Sequence, residues 1–146
     1  MSTENNNNFL KPPIDYGYSK ISFYYSLKWR VYASIKLSIL YQEIDEHLIP
    51  ELALKSVYKT FSELKEILIN EGYRRRIFSI KIINFLNNDL RVFLAKWDKK
   101  NKMPANLFED KDVIEEFKKD LDIIQKKSKD FANKIYEGNI WLKKYL

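Results

Sequence analysis

Few residues in this chain can stop a helix, and that limits the fold more than any other feature. It has three glycines and four prolines, too few for the tight turns of an all-β chain. Between these breaks, apolar residues recur at helical spacing. Leu54, Val57, Phe61, Leu64 and Leu68 step by three and four, a narrow seam of the kind that packs against neighbouring helices in a bundle. Pro50 suits the first position of that helix, with Glu51 beside it complementing the dipole, and Gly72 ends it.

Residues 77–97 form the most hydrophobic long run with a helical period. Ser79, Ile83, Leu86, Leu90, Phe93 and Trp97 fall on one face, with Ile82 and Leu94 beside it. Asn84, Asn87, Asn88 and Asp89 form a polar interval. A last helix follows a longer connection over residues 99–109. Asp112 and Glu115 are spaced as a capping-box variant for it. Val113, Phe117, Leu121, Ile124, Phe131 and Ile135 give its apolar line, with a polar skip at Ser128. Gly138 is its expected end.

The first helix is predicted from Ser19, a suitable N-cap, to about His47. Two apolar stripes run along it. One is Trp29, Ala33, Leu37, Leu40 and Ile44. The other, Tyr24, Leu27, Val31, Ile35 and Ile39, is a candidate oligomer face. A helix apolar on two sides is central to its own bundle or shared with a partner. Residues 1–18 are expected to form a disordered arm, with an asparagine run at 5–8 and Pro12 and Pro13 against helix initiation. The expected fold is thus all-α, an antiparallel four-helix bundle in a single domain over residues 19–146, with a long first helix.

Composition narrows the chemistry. With no cysteine there is no disulfide framework, thiolate nucleophile or thiolate-bound metal. The one histidine, His47, has no partner set for a Ser-His-Asp arrangement. Its Glu43-x-x-x-His47 spacing does not match the paired Glu-x-x-His of di-iron bundles. Gly17, Gly72 and Gly138 are isolated, so no phosphate loop or dinucleotide fingerprint is present. No catalytic residue, metal site or cofactor is expected, and the chain is read as a non-enzyme. A basic leader followed by an apolar core is absent from the N-terminus. Lys28, Arg30 and Lys36 interrupt the greasiest stretch, so no membrane span is expected. A cytoplasmic location follows as the expectation.

Charge is unevenly spread. The net is +6, and residues 51–105 hold twelve basic and six acidic side chains, while the segments on either side are each balanced. Arg74, Arg75 and Arg76 stand at the start of a helix, where positive charge opposes the macrodipole. Such a placement fits docking of a phosphate or acidic partner, or pairing with the acidic start of the last helix at Glu109, Asp110, Asp112, Glu115 and Glu116. Arg91, Lys96 and Trp97, with Lys99, Lys100 and Lys102 after them, form the second candidate patch for a partner or phosphate. The structural alternative is a snorkelling Arg91 and a Trp97 at the edge of the core.

The segment from Ser56-Val57-Tyr58 through Arg91-Val92-Phe93-Leu94-Ala95-Lys96-Trp97 resembles uncharacterised bacterial helical proteins. These carry a Leu-Arg-Pro-Phe-Leu-x-Lys-Trp-His signature after two amphipathic helices. The resemblance covers about half the chain, and departs at Val92, where proline is usual, and at Asp98, where histidine is usual. Some of those proteins sit in defence or conflict gene clusters, and they have no assigned activity. The resemblance therefore implies a context without a mechanism. The expected function is a non-enzymatic interaction or assembly subunit of a larger bacterial system, with antiviral defence as the implied setting and a protein partner or homo-oligomer. The alternative is nucleic-acid binding through the basic middle third.

Overall fold

A computed structural model describes residues 19–101 and 107–137. Among them the chain is all-α, in four helical rods. They are α1 (Ser19–Lys36), α2 (Pro50–Glu71), a third rod made of α3 (Arg76–Phe85), a π turn (Leu86–Leu90) and α4 (Arg91–Asn101), and finally α5 (Lys111–Glu137). The expected arm at residues 1–18, the stop at Gly138 and the tail after it lie outside the described residues, as does Lys102.

Neighbouring rods run antiparallel. The Ile39 N–H after α1 donates to Ser56 Oγ near the start of α2 at 3.0 Å, while Arg30 pairs with Glu71 at the end of α2. Rod three lies against α5 head to tail, because Phe85 stacks on Phe131 and Trp97 meets Phe117. One core runs through all four rods, from Leu27, Val31 and Ile35 of α1 to Leu121, Ile124 and Ala132 of α5. The apolar seams drawn from the sequence for α2 and α5 are the faces that fill it.

The first helix is shorter than its apolar pattern predicts: it ends at Lys36, not near His47. Ser38 explains the stop. Its hydroxyl donates to the Ile35 carbonyl at 2.7 Å and accepts from the Leu40 N–H at 3.1 Å. A serine bonding its own backbone in this way competes with the helical ladder. Gln125, buried on α5, then takes the released carbonyls of Ile39 and Gln42 at 2.7 and 2.8 Å. The chain crosses over in a 3-10 turn (Ile39–Tyr41). Tyr41 crosses to α5, where its hydroxyl donates to Asn133 Oδ1 at 2.8 Å.

Pro50 does occupy the first turn of α2, after an extended Ile49. Gly72 ends α2 for a different reason from the one expected. Its backbone is right-handed, φ −63°, so no left-handed cap is involved. What requires glycine is space, since a Cβ would lie 2.9 Å from Ser79 Oγ. That hydroxyl donates to the Gly72 carbonyl at 2.6 Å, and so pins the α2–α3 corner. The cap of α5 also differs from its prediction. Asp110, not Asp112, accepts from the backbone, taking the Asp112 N–H at 2.9 Å.

The π turn accounts for the unusual spacing in rod three. Ile82, Leu86, Leu90 and Leu94 are all buried, four residues apart. At 3.6 residues per turn each such step drifts by about 40°, so three steps would carry the last residue well off the face. A wider turn at Leu86–Leu90 absorbs the excess and keeps the face on the core.

Candidate functional site

The sequence put candidate binding residues at both ends of rod three. The structure treats the two ends differently.

At the α4 end, the residues are used by the fold. Trp97 is fully buried, edge-on to Phe117 at 4.9 Å and stacked near Phe108 at 6.0 Å. Phe93 packs on the same Phe117 ring. The Trp97 indole N–H donates to Asp120 Oδ2 at 3.1 Å. Lys96 Nζ reaches the same oxygen at 2.6 Å and Glu116 Oε1 at 2.9 Å. Hydrogen bonds to Asp120 and then Glu116 raise the Lys96 ammonium above its ordinary value of 10.5. Trp97 is therefore not a stacking surface for a partner, and Lys96 is held by two carboxylates. Arg91 is exposed and lies over the Phe61 ring at 5.8 Å, as expected of a snorkelling cation. Partial burial and then a hydrogen bond to Asp98 raise the Tyr58 phenol above 10.0, tying α2 to α4. The side chains of Lys99 and Lys100 lie outside the described residues.

The candidate oligomer face on α1 is also corrected. Leu27, Val31 and Ile35 are buried in the chain's own core, and Ile39 packs against it. Of the opposite stripe, Leu37 (80% exposed) and Trp29 are left outside, while Leu40, beyond the end of α1, is buried and Ile44 packs against the core. α1 turns its β-branched stripe inward because α2 and α5 flank it on that side. The side chain of Tyr24 lies outside the described residues.

At the α3 end, the arrangement is open. Arg74, Arg75 and Arg76 lie in the α2–α3 corner, beside a groove of about 1340 Å³ between α3 and the C-terminal half of α5. They do not meet the acidic start of α5, which lies at the other end of the bundle, where Glu116 holds Lys96. Arg74 Nε donates to the Tyr73 hydroxyl at 2.9 Å and lies over that ring. The groove also takes in Lys28, Lys81, Lys127 and Lys134. Its two carboxylates are occupied: Asp89 meets Lys127 at 3.5 Å and Asp130 meets Lys134 at 2.9 Å. Arg76 and Lys81 meet no carboxylate among the described residues.

Apolar groups are exposed at the same corner. Ile77 is 79% exposed, and Ile69, Tyr73, Ile80 and Ile83 are exposed with it. Ile83 had been placed on the buried face by the sequence pattern. Phase explains the difference, since the π turn sets a new face beyond Phe85. Sequence reading did not connect Lys127, Asp130, Phe131 and Lys134 with the arginines, because only the tertiary fold brings α5 beside α3. Nor did it identify Asp120, whose only signal is its place one turn after core residue Phe117.

Among the described residues, no group of three or more His, Cys, Asp or Glu could hold a metal ion, and no helix is long and apolar enough to cross a membrane. His47 is exposed, with its backbone N–H donating to Asp45 Oδ1 at 3.2 Å. No protein family, curated protein or solved structure matches the chain.

Proposed function

We propose that this chain is a non-enzymatic interaction module, an assembly subunit of a larger bacterial system, that engages its partner through the α2–α3 corner and the adjoining groove. A defence system is the setting implied by the sequence resemblance. The observation that carries the reading is Ile77, exposed at the rim of the groove beside Arg76 and Lys81. Exposed apolar side chains next to arginine and tyrosine are the composition of protein interfaces. A corner serving stability alone gains nothing from leaving several large apolar residues in water.

Size-exclusion chromatography with light scattering tests this, on the chain alone and with the purified products of adjacent genes. A stable complex, or a homo-oligomer broken by Ile77→Ser, is the expected result. A strict monomer that binds none of them overturns the reading.

Nucleic-acid binding is the second reading, favoured by the seven basic side chains and two carboxylates lining the groove. It requires affinity for duplex DNA that falls with salt by a log–log slope of about −0.9 per phosphate contact. Fluorescence anisotropy over a salt series measures that slope, and salt-insensitive binding counts against it.

A further inference from the structure

Resting on the interaction reading, we infer that the groove between α3 and α5 takes one kind of occupant: an amphipathic helix with an apolar face and acidic flanks. The recess is apolar at its base. Phe85 and Phe131 stack there at 4.3 Å, nearly parallel, and Phe78 and Ile135 border them. The sides are basic. Arg76 and Lys81 stand along α3, while Lys127 and Lys134 stand along α5. An apolar base between two basic walls is complementary to a helix that buries one stripe and carries Glu or Asp on both sides of it. Ile77 at the lip extends the apolar contact outward.

Size agrees with this occupant. A helix about 10 Å across advances about 16 Å in three turns, and a groove of about 1340 Å³ has room for one of that order. Charge also selects. Residues 72–88 contain no Asp or Glu side chain, and the two carboxylates farther along the groove each hold a lysine. A basic or neutral helix would leave Arg76 and Lys81 on the α3 wall uncompensated.

Two other classes of occupant fit less well. A single-stranded nucleic acid wants open aromatic faces on which bases stack. Here the Phe85 and Phe131 faces are spent on each other. A lipid surface wants a broad apolar face standing clear of the surface, and here Phe78, Phe85, Phe131 and Ile135 lie in a recess with Ile77 at its lip.

The test uses the full chain with isoleucine δ1-methyl labelling. The probes are three designed sixteen-residue peptides with Leu, Ile or Phe at helical i, i+3, i+4 and i+7 positions and glutamates on the flanks. Scrambled versions of the same composition and a duplex DNA are the comparisons. At least one designed helix is expected to bind and to shift the methyl signals of Ile77 and Ile135 while leaving Ile39 and Ile44 in place. Ile77→Ser and Arg76→Glu/Lys81→Glu are each expected to weaken it tenfold or more, with unchanged helical content by circular dichroism, and Lys59→Glu on α2 is expected to leave it unchanged.

Scrambled peptides binding as tightly as the helices would overturn the inference, as would methyl shifts away from the groove or an absence of binding by all three. If the adjacent-gene complex still forms in those cases, the interaction reading stands and only the helical occupant falls. DNA binding that outlasts Ile77→Ser would instead move the groove to the nucleic-acid reading.

Discussion

Rod three has an aromatic residue and basic residues at each end, and the bundle treats them in opposite ways. At the α4 end, Trp97 and Lys96 share a single carboxylate, Asp120, and the aromatic rings close around Phe117. At the α3 end, Arg76, Lys81 and Ile77 find no such closure. The difference lies in what α5 presents to each end. Its first half faces α4 with Glu116 and Asp120. Its second half faces α3 with Lys127 and Lys134, whose carboxylate partners are Asp89 and Asp130, and it offers Arg76 and Lys81 no acceptor among the described residues. The same residue types are therefore structural where the opposing helix supplies an acceptor and available where it does not.

The sharpest way to break this comparison is to remove the closed end. Trp97→Ala deletes the largest fully buried side chain and leaves Asp120 short of a donor. It should cost about 3–5 kcal/mol, the range for truncating a buried large aromatic, read as a lowered urea midpoint at unchanged slope. Trp97→Phe keeps most of the packing and loses the indole hydrogen bond, so about 1 kcal/mol is expected. If the alanine variant costs no more than the phenylalanine one, the closed end is not a packing centre.

Gly72→Ala comes next, because it strikes the pin beneath the open end. The new Cβ would press on Ser79 Oγ, an overpacking cost of about 1–3 kcal/mol. Adding Ser79→Ala removes the crowding atom along with its bond to the Gly72 carbonyl. The double-mutant cycle should show favourable coupling, whereas simple additivity would mean the close approach does not constrain the corner.

Lys96→Met probes the ionic part of the closed end, and its effect should be small. The lysine side chain is 40% exposed and solvent screens the pair, so a few tenths to about 1 kcal/mol is expected near neutrality. The pH dependence carries the sign. A lysine whose folded pKa is raised contributes below its unfolded value of 10.5 and loses that contribution as pH rises through the folded value. The gap between wild type and variant should be constant from pH 7 to about 10 and close above it. A gap that persists at higher pH would assign the effect to the packing of the lysine stem.

Ile77→Ser should cost least of all. With the side chain 79% exposed, the change is expected within about 0.5 kcal/mol. If it costs as much as Trp97→Ala, the two ends are alike and the contrast fails.

The bundle itself was legible because it rests on periodicity. The seam of α2, the line along α5 and the break at Pro50 are properties of neighbouring residues, which a sequence displays. Where α1 ends was not legible, since Ser38 makes the local stop but the crossover after it is held by Gln125, far along the chain, through the Ile39 and Gln42 carbonyls. Two stripes on α1 were visible, but which one faces inward depends on where α2 and α5 lie. Arg74, Arg75 and Arg76 were found by their cost to a helix start. Their wall on α5 was not, because Lys134 follows an ordinary surface pattern, an i,i+4 pair with Asp130, and the partner of Lys127, Asp89, lies on another rod. Trp97 stood out by its rarity, and its neighbours turned it from a candidate contact into part of the core.

The π turn at Leu86–Leu90 has a consequence for heredity. Rod three carries one residue more than an uninterrupted α-helix between the same ends would need. Deleting one codon there would let ordinary α backbone run through with α3 and α4 still in phase, whereas inserting one would add a residue that no wide turn absorbs and swing α3 by about 100° relative to α4. Ile82 and Phe85 would then leave the core, although no apolar residue had been substituted. In this short window an inserted codon is thus a heavier lesion than a deleted one, and the tolerance of the stretch to a change of length depends on its sign.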